Sequence, residues 1–509
     1  MRHRTVIAVD LGAESGRVVA CSFDGERVDL EVVHRFPNGA SDVDGHLRWD
    51  VERLWSEITD GLGRAGRGTD RIDSVGVATW GIDYGLLDAD GLLIDQPVSH
   101  RDARTDGRLA EAAARVGRDR LYDATGTQLM ECNTVFQLLA DVAAGRLDGA
   151  ATLLMVPDLF HQRLSGTTVA EFTAVTTTGA YDVAARRWAT ELLDDLGIPT
   201  HMLPDVADAG TDLGPVLPAA VGHPAYSRAR VVLPGSHDTA SAVAAVPFTH
   251  PDAAYVSSGT WSLVGAETPE PVVTPAARAA NLTNEGGVYG TNRLLRNVAG
   301  LWVLQECRRQ WAREGLPLTY AEIVARAEQA TPRKSHVDVD HPGFLAPGDM
   351  PARIRAECRR TGQPEPQDVG EVARCVLESL ALRYRAAIDA VGSVTGRPAA
   401  LVHVVGGGSR NGLLNQLTAD VTGLPVQAGP VETTALGNAL VQLVALGELS
   451  GLTDARELVR AGEPTLRYEP QLDQGWDEIY ESSLGHAADD PEMPARPLES
   501  DKEGSDHAR

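Results

Sequence analysis

Lysine is almost missing from this chain: among 46 basic residues only Lys334 and Lys502 are lysines. Neither lies in a glycine-rich turn, which excludes a Walker A loop, because that loop needs its lysine on the phosphates. Lys334, in the polar stretch TPRKSH, is a poor Schiff-base nucleophile. Any bound phosphate must therefore be held by backbone amides, arginine or a metal ion. Cysteine is scarce too. Cys21, Cys132, Cys307, Cys358 and Cys375 include no C-x-x-C pair, so neither a zinc site nor a secreted disulfide framework is indicated. The spacing of Cys358 and Cys375 allows a disulfide, although thiols are expected in a reducing compartment. No apolar run reaches membrane length, and MRHRTVIAVDLG enters a strand pattern without a signal peptide, so a cytoplasmic protein off the membrane is expected. Positive charge is also short. A formal net charge of −25 argues against nucleic acid or anionic lipid as partner and favours small-molecule chemistry.

What is present suffices for two cores. A chain of 509 residues exceeds the size at which one hydrophobic core stops growing. We expect one domain over 1–245, a second over 246–486, and a disordered acidic tail over 487–509, where Asp, Glu, Pro and Ser dominate.

Thr5 to Val9 is an apolar β-rich run ending in Asp10, followed by Gly12, Ala13, Glu14, Ser15, Gly16 and Arg17 before apolar character resumes. A strand, tight turn and second strand expose backbone N–H groups at the tip, a cradle for phosphate oxygens, while Asp10 can hold a hydrated cation. The bland alternative is an ordinary hairpin. The stretch AAYVSSGTWSLVG, near Ala253, repeats the device, with Ser258, Gly259 and Thr260 at its turn. Two such devices about 250 residues apart suggest two related domains offering one loop each to a nucleotide. A third turn follows the apolar run Leu401–Val405, where Gly406, Gly407 and Gly408 would let a nucleotide base or ribose lie flat on the backbone.

Between these turns lie candidates for a sugar. Trp80 and Asp83, at the end of an apolar run over 72–79, combine an aromatic face for C–H surfaces with an acceptor for hydroxyls. Asp238, in GSHDTASAV, follows the apolar VVL and starts a small-residue helix. It reads either as a helix N-cap or as a base acting on a hydroxyl. Ser236, His237 and Asp238 do not make a hydrolase triad, since contiguous side chains diverge. Residues 171–179, EFTAVTTTG, read as a polar loop, and 331–366 as a Pro-broken linker.

Taken together, VDLGAESGR, ATWGIDYGLLD, HRDART, SHDTASAV, SSGTWSLVG, NEGG, GLWVLQ, VGGGSRN and GPVETTALGNAL resemble the FGGY carbohydrate kinase family and, within it, the rhamnulokinase group. The resemblance runs from residue 5 to about 445. It implies an α/β fold of two actin-like (ribonuclease-H-like) domains flanking an active-site cleft. It further implies ATP-dependent phosphorylation of the C1 hydroxyl of L-rhamnulose in L-rhamnose degradation, with ATP and Mg²⁺ as cofactors. Asp238 matches the family's catalytic base, and Gly81, His237, Thr239 and Asn297 its sugar contacts. Ala13, Glu14, Ser15, Gly16 and Arg17 match the first phosphate loop, and Thr260, Gln305, Gly407 and Gly408 the positions that contact ATP. Two positions depart from the pattern: Ala78 precedes TWG where an acid is usual, and Glu14 stands where a small hydroxyl is usual. L-fuculose, D-xylulose, L-ribulose and glycerol remain alternative acceptors, a non-catalytic actin-like ATPase is the rival class, and the expected assembly is a monomer or homodimer.

Overall fold

The computed structural model describes residues 3–471 and 475–488. Two sheets carry the chain. Strands of the first are β1 (Arg4–Leu11), β2 (Ser15–Phe23), β3 (Val28–Pro37), β4 (Ser74–Thr79), β5 (Asp212–Pro215) and β6 (Arg230–Val232), in the order β5-β6-β4-β1-β2-β3. Those of the second are β7 (Ala253–Ser258), β8 (Ser262–Thr268), β9 (Thr283–Gly286), β10 (Asn292–Val298), β11 (Leu401–Val405), β12 (Val426–Ala428) and β13 (Leu466–Tyr468), in the order β9-β10-β8-β7-β11-β12-β13.

The sheets repeat one plan. β1 pairs antiparallel with β2 and parallel with β4, as β7 does with β8 and β11. In both, two parallel steps lead away from the hairpin to an antiparallel edge strand. The central strands are apolar on both faces because helices cover both sides, which is why they read as continuous runs. Helix α1 (Val51–Arg67) begins at Asp50, whose carboxylate accepts from Arg53 N, and it buries Leu54, Ile58 and Leu62. Helix α2 (Val156–Ser165) lies behind β4. Helices α3 (Asp238–Ala244), α4 (Trp302–Arg313), α5 (Val369–Thr395) and α6 (Thr433–Ala445) complete the frame.

Two expectations need correction. Residues 331–366 are not merely a linker: helix Met350–Arg360 buries Met350, Ile354 and Cys358 in the second core, its turn of apolar residues masked by flanking arginines. Residues 487 and 488 end the helix Trp476–Ala488; the rest of the expected tail, 489–509, lies outside the described residues, as does Lys502. Cys358 and Cys375 are buried free thiols.

Helix α6 lies between β12 and β13 of the second sheet in sequence but packs on the first. Its Asn438 Nδ2 donates to Gly76 O at 3.1 Å, and its Gln442 Nε2 to Ile7 O at 3.0 Å, while Ser74 Oγ donates to Gln442 Oε1 at 2.6 Å. All three side chains are buried, so each bond satisfies groups that water never reaches. Helix α6 crosses α3 at Gly437, where a Cβ would stand 1.7 Å from Ser241 O. Gly437→Ala should therefore force the two helices apart and lower unfolding stability by about 2–3 kcal/mol or more; a urea midpoint equal to the parent's would refute the crossing as a tight constraint.

Candidate active site

The C-terminal ends of the central strands of both sheets open into one cavity of about 1050 Å³. It receives the turn after β1, the turn between β7 and β8, and the glycine turn after β11. Ala13, Glu14, Ser15 and Arg17 line it from one side, with Ser258, Gly259, Thr260, Gln305, Gly407 and Gly408 from the other. Trp80, Gly81, His237, Asp238, Thr239, Asn297 and Asp10 line it too. Two sequence-predicted residues do not. Gly16 faces inward, where a Cβ would lie 2.3 Å from the Phe36 ring, so its role is packing of the hairpin.

Asp83 is also absent from the wall, being fully buried behind it. Its Oδ2 accepts from Trp49 Nε1 at 2.7 Å and Trp80 Nε1 at 2.9 Å, and lies 2.9 Å from His100 Nδ1; its Oδ1 accepts from Gln137 Nε2 at 3.2 Å. Asp83 thus fixes the wall rather than touching a ligand. His100 itself lines the cavity, and its Nε2 is buried without a protein partner. Trp80 is further held by Trp49, with ring centroids 4.2 Å apart.

The three glycines after β11 serve different ends. Gly406 adopts φ +80°, open to glycine without strain. Gly408 admits Ser258, whose Oγ would sit 2.0 Å from an added Cβ. At Gly407 a Cβ would meet nothing within 4 Å, so any side chain there projects into open space.

Charges in the site are arranged in pairs. Arg17 donates to Asp10 Oδ2 at 2.8 Å through Nε and contacts Glu432 at 2.5 Å, so it is neutralised on both sides rather than left bare for phosphate. Glu14 pairs with Arg309 of α4, which offsets the repulsion an acid in this turn would otherwise exert on an anion. Among the described residues no group of three or more His, Cys, Asp and Glu is placed to hold a metal ion.

Asp238 is the first residue of α3 and not its cap, which is His237. Its carboxylate accepts from Thr239 Oγ1 at 3.2 Å and lies 3.5 Å from His237 Nε2. Burial pushes its pKa up, opposed by His237 and reinforced by the charge of Asp10. A raised carboxyl beside a cavity is the state a general base needs. His237 Nδ1 is 3.2 Å from both Arg293 Nη2 and Glu285 Oε2, which reach it from the second sheet.

The loop carrying Asp238 is anchored by residues that read as a plain loop in sequence. Glu171 precedes the short helix Phe172–Val175. Its Oε2 accepts from Ser236 N and Ala174 N, both at 3.1 Å, and from Thr173 Oγ1 at 2.6 Å. Thr173 Oγ1 in turn accepts from His237 N at 3.1 Å. No sequence signal marks this, because Glu171 and Ser236 are brought together only by folding. Burial pushes Glu171 up to about 7. Asp158, with its Oδ1 3.2 Å from Glu171 N, is raised well above the carboxylate range, also by burial.

Between the ordinary glutamate pKa and about 7, folded Glu171 keeps a proton that the unfolded chain releases, so its contribution to stability falls as pH rises across that window. Glu171→Gln mimics the protonated form, so its melting temperature relative to the parent should rise between about pH 5 and about pH 8. Glu171→Ala should lower kcat about ten- to hundred-fold by releasing the loop, whereas Glu171→Gln should preserve most of it; equal kcat losses in both would refute the anchoring role.

Two family models match the chain: the N-terminal domain of the FGGY family of carbohydrate kinases over residues 5–245, and the C-terminal domain of that family over residues 254–446. A curated rhamnulokinase of Bacteroides thetaiotaomicron is 40% identical over 475 residues, covering 93% of this chain and 97% of that protein. One from Enterococcus faecalis is 40% identical over 472 residues, covering 92% and 95%. Among solved structures, ligand-bound xylulose kinase from Lactobacillus acidophilus shares the fold with a TM-score of 0.78 at 17% identity, over 95% of this chain and 98% of that one. Glycerol kinase of Plasmodium falciparum with ADP has a TM-score of 0.73 at 15% identity, over 95% and 97%. With both domains matched in order, the chain belongs to the FGGY family of carbohydrate kinases.

Proposed function

We propose that the chain transfers the γ-phosphoryl group of ATP to the C1 hydroxyl of L-rhamnulose, in the cytoplasm. The observation that carries this reading is Asp238, a carboxylate of raised pKa in the cavity wall, with glycine turns on one side and a Trp80–His237 wall on the other. The choice of sugar rests on similarity to curated rhamnulokinases over 93% of the chain. The two lobes are read as 1–245 and 246–486.

In this reading Asp238 takes the proton of the C1 hydroxyl as its oxygen bonds to the γ-phosphorus, and the bond from that phosphorus to the β–γ bridging oxygen breaks to release ADP. Backbone amides at Ala13–Ser15 and at Thr260 hold phosphate oxygens, Gly259 N being spent on Trp261 O at 2.9 Å, and the open surface at Gly407 takes the nucleoside. Gly81, Thr239 and Asn297 contact the sugar against Trp80. Asp10, whose Oδ2 is already engaged by Arg17, and Asp238 both face the cavity and repel one another. That arrangement fits Mg²⁺ held through water by Asp10. Bound there with ATP, Mg²⁺ would neutralise phosphate charge.

A coupled ADP-release assay across L-rhamnulose, L-fuculose, D-xylulose, L-ribulose and glycerol tests the proposal. L-rhamnulose should give the highest kcat/KM; a higher value for another acceptor overturns the sugar, and no sugar-stimulated release overturns the kinase reading. Asp238→Asn should lose about a hundred- to ten-thousand-fold in kcat while still binding both substrates. Gly407→Val should raise the KM for ATP about ten-fold and spare that for the sugar; the opposite split would move the nucleotide elsewhere.

A further inference from the structure

Three polar side chains in the cavity wall have no sugar-contacting role in the account above. Thr283 and Glu285 alternate on β9 and so share one face, and both line the cavity. Thr127 comes from the other half of the chain. Its segment is tied to the second sheet on both sides, since Asn284 N donates to Gly126 O at 2.8 Å and Asn297 N to Gln128 Oε1 at 2.8 Å. Thr127 is therefore fixed beside β9 and β10, and it too lines the cavity.

All three are over nine-tenths buried: relative exposure is 4% for Thr127, 0% for Thr283 and 3% for Glu285. The hydroxyl oxygens of both threonines are buried with no protein partner. Glu285 Oε2 lies 3.1 Å from Arg293 Nη2 and 3.2 Å from His237 Nδ1, ion pairs that leave it without an aligned hydrogen-bond donor. Burial raises the Glu285 pKa, but Arg293 and His237 outweigh it, and the carboxyl stays below its usual range and ionised. Unmade hydrogen bonds in a buried wall are costly, so three together imply a ligand that completes them. Two hydroxyls that give or take a proton, beside an acceptor that only takes, complement the vicinal hydroxyls of a sugar.

We propose that Thr127, Thr283 and Glu285 form a hydroxyl-reading shelf that selects the ketose by hydroxyl groups other than the one phosphorylated. The shelf rests on the reading of this cavity as a sugar kinase site. It joins both halves of the chain around the sugar, so specificity is assembled only when Thr127 and β9 meet.

The test pairs Glu285→Gln and Thr283→Val with a series of ketoses each lacking one hydroxyl. Each variant should raise the KM for L-rhamnulose about ten-fold or more beyond any change in the KM for ATP. One deoxy ketose should be a poor substrate for the parent relative to L-rhamnulose, and that penalty should shrink at least about five-fold in a variant. Equal rises in both Michaelis constants, or the same penalties in parent and variants, overturn the shelf. Thr127→Val, which leaves the Glu285–Arg293 pair untouched, repeats the measurement should Glu285→Gln fail to fold. If the parent shows no sugar-stimulated ADP release, the kinase reading has failed, and the shelf is judged by ketose binding without nucleotide, read by Trp80 fluorescence. Loss of that binding in Thr283→Val upholds the shelf; unchanged binding, or none in the parent, overturns it.

Discussion

The close crossing of α3 and α6 is the constraint on which the rest depends. Only glycine at position 437 allows Ser241 O to approach as it does, and that approach sets α3, with Asp238 at its start, against the first sheet and its neighbour together. Asn438 and Gln442 then bond to backbone carbonyls of β1 and β4, so the strands that end at Asp10 and Thr79 are locked to the helix pair. A base, a phosphate turn and a tryptophan wall are thereby fixed relative to each other by buried amide chemistry that solvent does not compete for.

Charge follows the same logic. A chain of net charge −25 must bring an anionic nucleotide to a cavity lined by Asp10, Glu14, Asp238, Glu285 and Glu432. Arg17 answers Asp10 and Glu432, Arg309 answers Glu14, and Arg293 answers Glu285. Asp238 has His237 as its ion-pair partner and no arginine in salt-bridge contact among the described residues, and burial raises its proton affinity. The contrast between Asp238 and Glu285, two acids of one cavity, follows that difference in partners.

Much of the frame was legible from residue patterns. The strand-turn-strand units at Asp10 and Ser258 read correctly because apolar runs on both sides of a glycine turn have few other solutions, and Asp50 capped its helix as its position suggested. Asp83 was legible as important but not in its role: nothing along the chain says that Trp49, Trp80, His100 and Gln137 converge on it and close it off from the cavity. Residues 171–179 were illegible for the same reason, since Glu171 acts on Ser236 across 65 positions.

The sequence by itself determined the class of chemistry through the resemblance of its motifs to the FGGY carbohydrate kinases, and its residues were compatible with that class. Without a phosphate-loop lysine, with three glycine turns at strand ends and an acid before a small-residue helix, it admitted a nucleotide held by backbone and an acid free to act as base. Tertiary structure alone decided which polar groups face the cavity and which are consumed in holding it. The reason is physical: a side chain's type sets what it can bond, whereas its pKa, exposure and unspent hydrogen-bonding capacity depend on neighbours that only the folded chain supplies.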